Sequence, residues 1–142
     1  MEMCQSRKSE PLFKFVINCL GWVHKSDNLF IIDFELAATD LHRAAISVND
    51  VPTGCTQWVP DGDSFDRAIT DTLSGLMFLH EHVNIYHNNI KPANLLIVRP
   101  NDGQQIVKIG DVGLCTEMDK RGRSFGTFGY SSPEIYDSKR FN

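Results

Sequence analysis

Polar groups that could bind phosphate or a cation are concentrated in two phrases of this 142-residue chain. The first, YHNNIKPAN at 86–94, offers the ammonium group of Lys91 and the carboxamide of Asn94. The second, GDVG at 110–113, offers the carboxylate of Asp111. A carboxylate and a carboxamide supply oxygen ligands of the kind that Mg²⁺ prefers, and a loop and a strand end can meet across a hairpin. Taken alone, Asp111 is better explained as a turn residue before Gly113, and Asn94 as a helix-like cap.

Four phrases follow one another in a fixed order: FELA at 34–37, YHNNIKPAN at 86–94, KIGDVGLC at 108–115 and GTFGYSSPE at 126–134. Each alone occurs by chance, but in this order they resemble the signature set of the protein kinases. The resemblance runs from about Leu12 to Glu134. It implies an α+β, partial protein-kinase-like fold, with the last strands of the N-terminal lobe, the hinge and the first half of the helical C-terminal lobe.

The resemblance assigns catalytic positions to two residues of the loop. Asn89 falls where the family keeps the catalytic aspartate, and Lys91 falls on the lysine typical of the Ser/Thr branch. A carboxamide has no charge and no useful basicity, and general-base assistance is typically worth about 10²–10⁴-fold. We therefore expect impaired transfer, although activity need not be zero, because phosphoryl transfer depends mainly on positioning and electrostatics.

Two neighbouring positions also depart from the family pattern. Asn88 stands at the arginine that normally pairs with a phosphate on the activation segment, and Val112 stands at the phenylalanine of D-F-G. Ser124 or Thr127 could still be phosphorylated, but the usual docking partner is absent.

The same resemblance implies ATP and Mg²⁺ as cofactors. Asp111 and Asn94 would hold the metal ion against the nucleotide phosphates. Phe34 would be the gatekeeper, and the hinge from Glu35 to Ala37 would pair with adenine through its backbone.

The segments of a kinase domain that cover the bound nucleotide do not appear in the sequence. There is no glycine-rich loop, no V-A-I-K lysine and no preceding αC glutamate, and eight residues follow Glu134. Two hypotheses therefore stay open. Lys91, Asn94 and Asp111 favour a shortened Ser/Thr kinase with residual activity. A pseudokinase that binds or scaffolds a protein partner is favoured by the missing nucleotide-covering loop and by three substitutions, Asn88, Asn89 and Val112.

A finer resemblance points to one group of kinases. ELAATDL at 35–41, SGLMFLH at 74–80 and VGLCTEM at 112–118 are similar to the inositol-requiring kinase/endoribonucleases. In that group the kinase-like domain acts largely as a nucleotide-sensing dimerisation module, which implies dimerisation as a further possible role.

Composition excludes several classes. With 14 Lys and Arg against 18 Asp and Glu, the formal net charge is −4, and no long basic run favours nucleic-acid binding. No apolar run is long enough to span a membrane. The four cysteines are scattered without metal-site spacing, which indicates reduced thiols and a cytoplasmic setting.

The element pattern predicts a polar tail over 1–11 and one partial domain over 12–142. The expected elements are a strand at 12–23, a turn at 24–28, a strand at 29–36, a short helix from Asp40, a loop at 51–63, a helix from Ser64, and strands at 95–98 and 106–109. Along the long helix, spacings of four, four, three and three predict an inward stripe of Phe65, Ile69, Leu73, Leu76 and Leu79. The missing C-terminal helices would also leave apolar surface of this helix exposed.

Overall fold

The computed structural model describes residues 7–26, 29–46, 62–100, 104–118 and 126–133, and within them helices and strands are mixed. The strands are β1 Cys19–Ser26, β2 Leu29–Phe34, β3 Thr39–Asp40, β4 Ile85–Tyr86, β5 Leu95–Val98, β6 Ile106–Ile109 and β7 Thr116–Glu117. The helices are α1 Leu41–Ile46 and α2 Gly62–Met77, which continues as a π-helical turn, Phe78–His82. Short 3₁₀ turns cover Pro11–Phe15, Pro92–Asn94 and Val112–Leu114. The predicted α+β class is confirmed; the predicted loop residues 51–61 and tail residues 1–6 lie outside the described part.

The first strand begins later than its composition predicts. Residues 12–18 were expected to be strand, but Pro11–Phe15 form a 3₁₀ helix and β1 starts at Cys19. A proline at the first helical position has a suitable φ and no N–H to lose there. Phe13 then turns inward, and its ring meets that of Phe78 edge-on with centroids 5.6 Å apart. The segment therefore serves the core, and it meets the sheet through a parallel bridge of Val16 to Ile109 of β6.

The predicted hairpin of two apolar strands is confirmed, with β1 and β2 antiparallel and Trp22 opposite Ile32. Its strands extend into the predicted turn, since β1 runs to Ser26. Both faces carry large exposed apolar side chains, with Trp22 and Ile32 on one face and Val23 and Ile31 on the other. A two-stranded hairpin alone is marginally stable, so these side chains form an apolar surface that the described residues do not cover.

The second hairpin, of β5 and β6, is the centre of the molecule. It forms at the predicted positions, and its antiparallel register pairs Leu95 with Ile109 and Val98 with Ile106. β3 joins the free edge of β5 to give the order β3-β5-β6. The side chains of Ile97 and Ile109 are completely buried, so the hairpin anchors the core.

The predicted inward stripe of the long helix is wrong for its first three members. Phe65, Ile69 and Leu73 are 55%, 45% and 56% exposed, whereas Leu79 is fully buried. The buried face instead passes through Ala68 and a glycine, Gly75. A periodicity of 3.6 residues fits either face of this helix. The face with small side chains is the buried one because it allows α2 to approach β6 more closely. The expected exposed apolar surface on this helix is present.

Two contacts fix how closely α2 approaches the sheet. A Cβ built at Gly75 would lie 2.8 Å from the Phe15 carbonyl oxygen and 2.9 Å from Ile109 Cδ1. Asp71 accepts a hydrogen bond from the Val107 backbone N–H at 2.9 Å. The predicted short helix begins as expected, with Asp40 Oδ1 accepting from the Arg43 backbone N–H at 2.9 Å. Among the helices of the described ranges, none is long and apolar enough to cross a membrane.

Substitution of Gly75 by alanine tests this packing. The added methyl group meets a backbone oxygen that cannot swing away, and overpacking of this kind costs about 1–3 kcal/mol. That loss exceeds the helix-propensity gain of about 0.8–1.0 kcal/mol, so the free energy of unfolding should fall in chemical denaturation. Gly21→Ala is the matched control, because nothing lies within 4 Å of its added methyl group. A Gly75→Ala protein as stable as the parent would contradict the close approach.

Candidate functional site

The loop at 87–91 is attached to the end of β6 by a buried histidine. His87 is 2% exposed, and its Nε2 donates to the Gly110 carbonyl oxygen at 2.8 Å. Its Nδ1 accepts from the Asn89 backbone N–H at 3.2 Å. One ring nitrogen donates and the other accepts, which is the pattern of a neutral imidazole. Burial lowers the pKa of His87, more than the Gly110 carbonyl and the Asp111 carboxylate raise it.

Asn88 connects the same loop to the segment that follows Asp111. Its backbone is left-handed with φ of 63°, a conformation that asparagine tolerates better than most residues. Its Nδ2 donates to the Leu114 carbonyl oxygen and to Thr116 Oγ1, each at 2.9 Å. At the position of the family arginine, an uncharged amide therefore holds β7 beside β4 directly.

Asn89 is buried, with a fixed amide orientation. Its Oδ1 accepts from Thr127 Oγ1 at 2.8 Å, and its Nδ2 points to Asp111 Oδ2 at 3.4 Å. The reverse orientation would set an amide oxygen against a carboxylate oxygen. The residue at the predicted catalytic position thus presents a donor, not an acceptor, to Asp111.

Thr127 joins the two predicted catalytic positions. Its Oγ1 accepts from Lys91 Nζ at 2.8 Å while donating to Asn89 Oδ1 at the same distance. Sequence reasoning named Thr127 as a phosphorylation candidate but did not predict that it bridges the loop. No spacing rule links residues 36 positions apart. The predicted positions Ser124 and Glu134 lie outside the described residues.

Asn94 and Asp111 meet across the β5–β6 hairpin. The Gly110 backbone N–H donates to the Asn94 carbonyl oxygen at 2.9 Å, which sets the two strand ends side by side. Asn94 is buried, and its Nδ2 donates to the Asn89 carbonyl oxygen at 2.8 Å and to Asp111 Oδ2 at 3.3 Å. Asp111 is exposed and left-handed, with φ of 54°. The structure therefore brings Asn89, Asn94 and Asp111 together.

These side chains fit a divalent cation as a small ligand set. Asp111 offers a carboxylate, and Asn94 offers an amide oxygen only after its amide turns, since Nδ2 now faces Asp111. Mg²⁺ commonly takes its remaining ligands from phosphate and water. Within the described ranges no group of three His, Cys, Asp or Glu residues could hold a metal ion. A cation here would depend on one charged protein ligand.

The predicted hinge is anchored by an ion pair that sequence reasoning missed. Glu35 Oε1 accepts from Lys108 Nζ and from the Asn18 backbone N–H, both at 2.7 Å. Lys108 is only 9% exposed, in the middle of β6. A lysine within the apolar run IVKI was the available signal, because a buried charge requires a partner.

The backbone of the hinge keeps some of its hydrogen-bonding groups open. The Glu35 N–H donates to the Asn18 carbonyl oxygen at 2.9 Å, and the Ala38 N–H donates to Ile97 at 2.8 Å. Between them, neither the Glu35 carbonyl nor the N–H and carbonyl of Ala37 bonds to another described residue. Phe34, the predicted gatekeeper, ends β2 beside them and is 40% exposed.

Comparison with known proteins agrees with this arrangement. The family model described as protein kinase domain matches residues 1–142. The chain belongs to the protein kinase family. This kinase-family chain is 38% identical over 105 residues to serine/threonine-protein kinase DCLK1 of Rattus norvegicus, a match that covers 61% of the chain and 24% of that protein.

Two other relatives match over more of the chain. Calcium/calmodulin-dependent protein kinase cmkB of Emericella nidulans is 29% identical, with 86% of the chain and 29% of that protein covered. Serine/threonine-protein kinase/endoribonuclease IRE1 of Hypocrea jecorina is 28% identical, with 84% and 10% covered. The chain thus spans less than a third of each of these relatives, and the resemblance to the inositol-requiring group is confirmed at modest identity.

The buried His87 should make the fold sensitive to acid. Because its pKa is lowered on folding from the ordinary 6.5, the unfolded chain binds this proton more tightly. The free energy of unfolding should therefore be largest above about pH 6.5 and fall below it, by at most about 1.4 kcal/mol per pH unit. His87→Gln, whose amide can still donate to the Gly110 carbonyl, should flatten this slope in denaturation measured at several pH values. His42→Gln, which makes the same substitution at an exposed position of α1, is the matched control. An unchanged slope in His87→Gln would contradict the assignment.

Proposed function

We propose that this chain is a protein-kinase-like domain that takes ATP at the hinge and the 89–94 loop, and that it transfers phosphate to protein Ser/Thr only weakly. The observation that carries the proposal is the amide of Asn89, which lies between Thr127 and Asp111 at the catalytic position. The family membership supports the substrate class. The orientation of the Asn89 amide supports impaired phosphoryl transfer.

The nucleotide would be bound at both ends. Adenine would pair with the Glu35 carbonyl and with the backbone groups of Ala37, which have no other described partner. The phosphates would lie near Asp111 and Asn94, which would also hold Mg²⁺ where one is bound. Such an ion supplies charge neutralisation at the phosphate oxygens.

The loop residues can position a substrate hydroxyl but cannot take its proton. The Asn89 Oδ1 is an acceptor without useful basicity, and its present partner is the Thr127 hydroxyl. Lys91, which donates to the same hydroxyl, would place a positive charge beside the transferred group. Positioning and electrostatics would remain while the general base would be missing, a loss of about 10²–10⁴-fold.

A pseudokinase that binds a protein partner or dimerises is the second candidate. Asn88 favours it, since it ties β7 to the loop without any phosphate. The exposed apolar residues of the β1–β2 hairpin and of α2 favour it as well, because large apolar patches mark interaction surfaces. A cytoplasmic location belongs to the same proposal and rests on the scattered cysteines.

Placing a carboxylic acid at position 89 distinguishes a weak kinase from a binding module. Asn89→Asp should raise transfer from radiolabelled ATP to a Ser/Thr protein substrate by about 10²-fold, the lower end of what a general base supplies. Asn84→Asp is the matched control, since it makes the same chemical change at an exposed position five residues away and should give no rise. Thermal melting would verify that both variants fold. A folded Asn89→Asp protein with unchanged transfer would support the binding module instead.

A further inference from the structure

We infer that the ion pair of Glu35 with Lys108 is a positioning element for adenine, which holds the hinge so that its open backbone groups face the base. The inference rests on the proposed nucleotide site and names a pair of side chains on which that site depends. It follows from the contacts that converge on one oxygen of Glu35 and from the way the two ends of the hinge are attached.

One oxygen of the Glu35 carboxylate joins three segments of the chain. Glu35 Oε1 accepts from Lys108 Nζ of β6 and from the Asn18 backbone N–H, both at 2.7 Å. The Glu35 N–H in turn donates to the Asn18 carbonyl oxygen at 2.9 Å. One residue earlier, the Ile17 N–H donates to the Ile109 carbonyl oxygen at 2.9 Å. The first hinge residue is therefore tied to β6 directly and also through the segment that precedes β1.

The other end of the hinge is attached to the neighbouring strand. The Ala38 N–H donates to the Ile97 carbonyl oxygen of β5 at 2.8 Å. Because β5 and β6 are paired, both ends of the hinge are fixed to one hairpin. Between these ends lie the Glu35 carbonyl and the backbone groups of Ala37, which bond to no other described residue. Fixing both ends reduces the conformations of this short segment, and such preorganisation strengthens the binding of a ligand to the open groups.

Stability alone does not explain an ion pair at this position. Val107 and Ile109 are buried, and Ile109 lies on the side of the hairpin that α2 approaches at Gly75. Because side chains alternate along a strand, Lys108 lies on the opposite face, where it meets Glu35. Lys108 is only 9% exposed, and apolar residues in place of a buried ion pair are often neutral or stabilising. The pair provides what an apolar side chain would not, a directed contact with the hinge.

Calorimetric titration of the full chain with ATP, in buffer that contains Mg²⁺, tests the inference. The double variant Lys108→Met with Glu35→Gln removes both charges together and leaves neither buried charge unpaired. Its glutamine oxygen can still accept from the Asn18 N–H. We expect ATP to bind about tenfold more weakly to this variant, which is the effect of about one misaligned hydrogen bond. Lys25→Met, which makes the lysine substitution at an exposed position of β1, is the matched control and should bind ATP as the parent does.

Inorganic tripolyphosphate separates a positioning role from a purely structural one. It has no adenine and cannot use the hinge, so its dissociation constant should change by less than about twofold in the double variant. An equal loss of affinity for both ligands would overturn the inference, because it would show a general disturbance of the fold.

Glu35→Gln alone is the second variant, in case the double variant does not melt cooperatively. It keeps the size of the side chain and its acceptor oxygen, but a hydrogen bond to a neutral acceptor is about half as strong as one to a carboxylate. We expect ATP to bind about threefold more weakly and tripolyphosphate to bind as before, since only the hold on the hinge is loosened. Unchanged binding of ATP to this variant would overturn the inference.

The outcomes distinguish this inference from the function beneath it. If ATP binds the parent and the folded double variant equally, or binds the variant more tightly, the nucleotide site stands and the inference is wrong. If ATP does not bind a parent chain that melts cooperatively, the proposed nucleotide site fails and the inference fails with it. A loss of affinity confined to ATP supports both.

Discussion

The hydrogen bond from the Gly110 N–H to the Asn94 carbonyl oxygen is the constraint on which the rest of the site depends. At 2.9 Å it continues the β5–β6 pairing by one step beyond the strands, and so places Asn94 beside Asp111. The Gly110 carbonyl then accepts from His87, which fixes the loop to the same point. From there Asn89 reaches Thr127 and Asp111. A buried hairpin thus aligns residues from three separate phrases of the sequence.

Much of the fold could be predicted because hydrophobic pattern and turn chemistry agreed. β5 and β6 form at the predicted positions, and the short helix starts where Asp40 can cap it. The long helix shows that the hydrophobic pattern does not decide which face of α2 is buried. Its apolar ridge and its small-residue face have the same period, and the close approach at Gly75, with the hydrogen bond from Val107 to Asp71, favours the small-residue face. That contact is tertiary, and no local rule contains it.

The sequence indicated a set of site residues but not the hydrogen bonds and the ion pair that join them. The order of four phrases indicated Asn89, Lys91, Asn94 and Asp111, and the structure gathers the four around the end of one hairpin. The bridge through Thr127 and the pair of Glu35 with Lys108 join distant parts of the chain. Such contacts depend on three-dimensional register, which spacing along the sequence does not encode. The direction of the Asn89 amide likewise depends on the neighbouring Asp111 carboxylate.

The most direct test of the central claim, that the hinge and the Asp111 loop form one nucleotide site, is an NMR titration of the ¹⁵N-labelled chain with ATP. We expect concerted shifts of the Ala37 backbone amide and of the amides of Asn89 and Asp111, with one dissociation constant for all three. Adenosine should move Ala37 while leaving Asp111 almost unchanged. Shifts confined to the exposed faces of α2 and the β1–β2 hairpin, or no shifts in a folded chain, would contradict it.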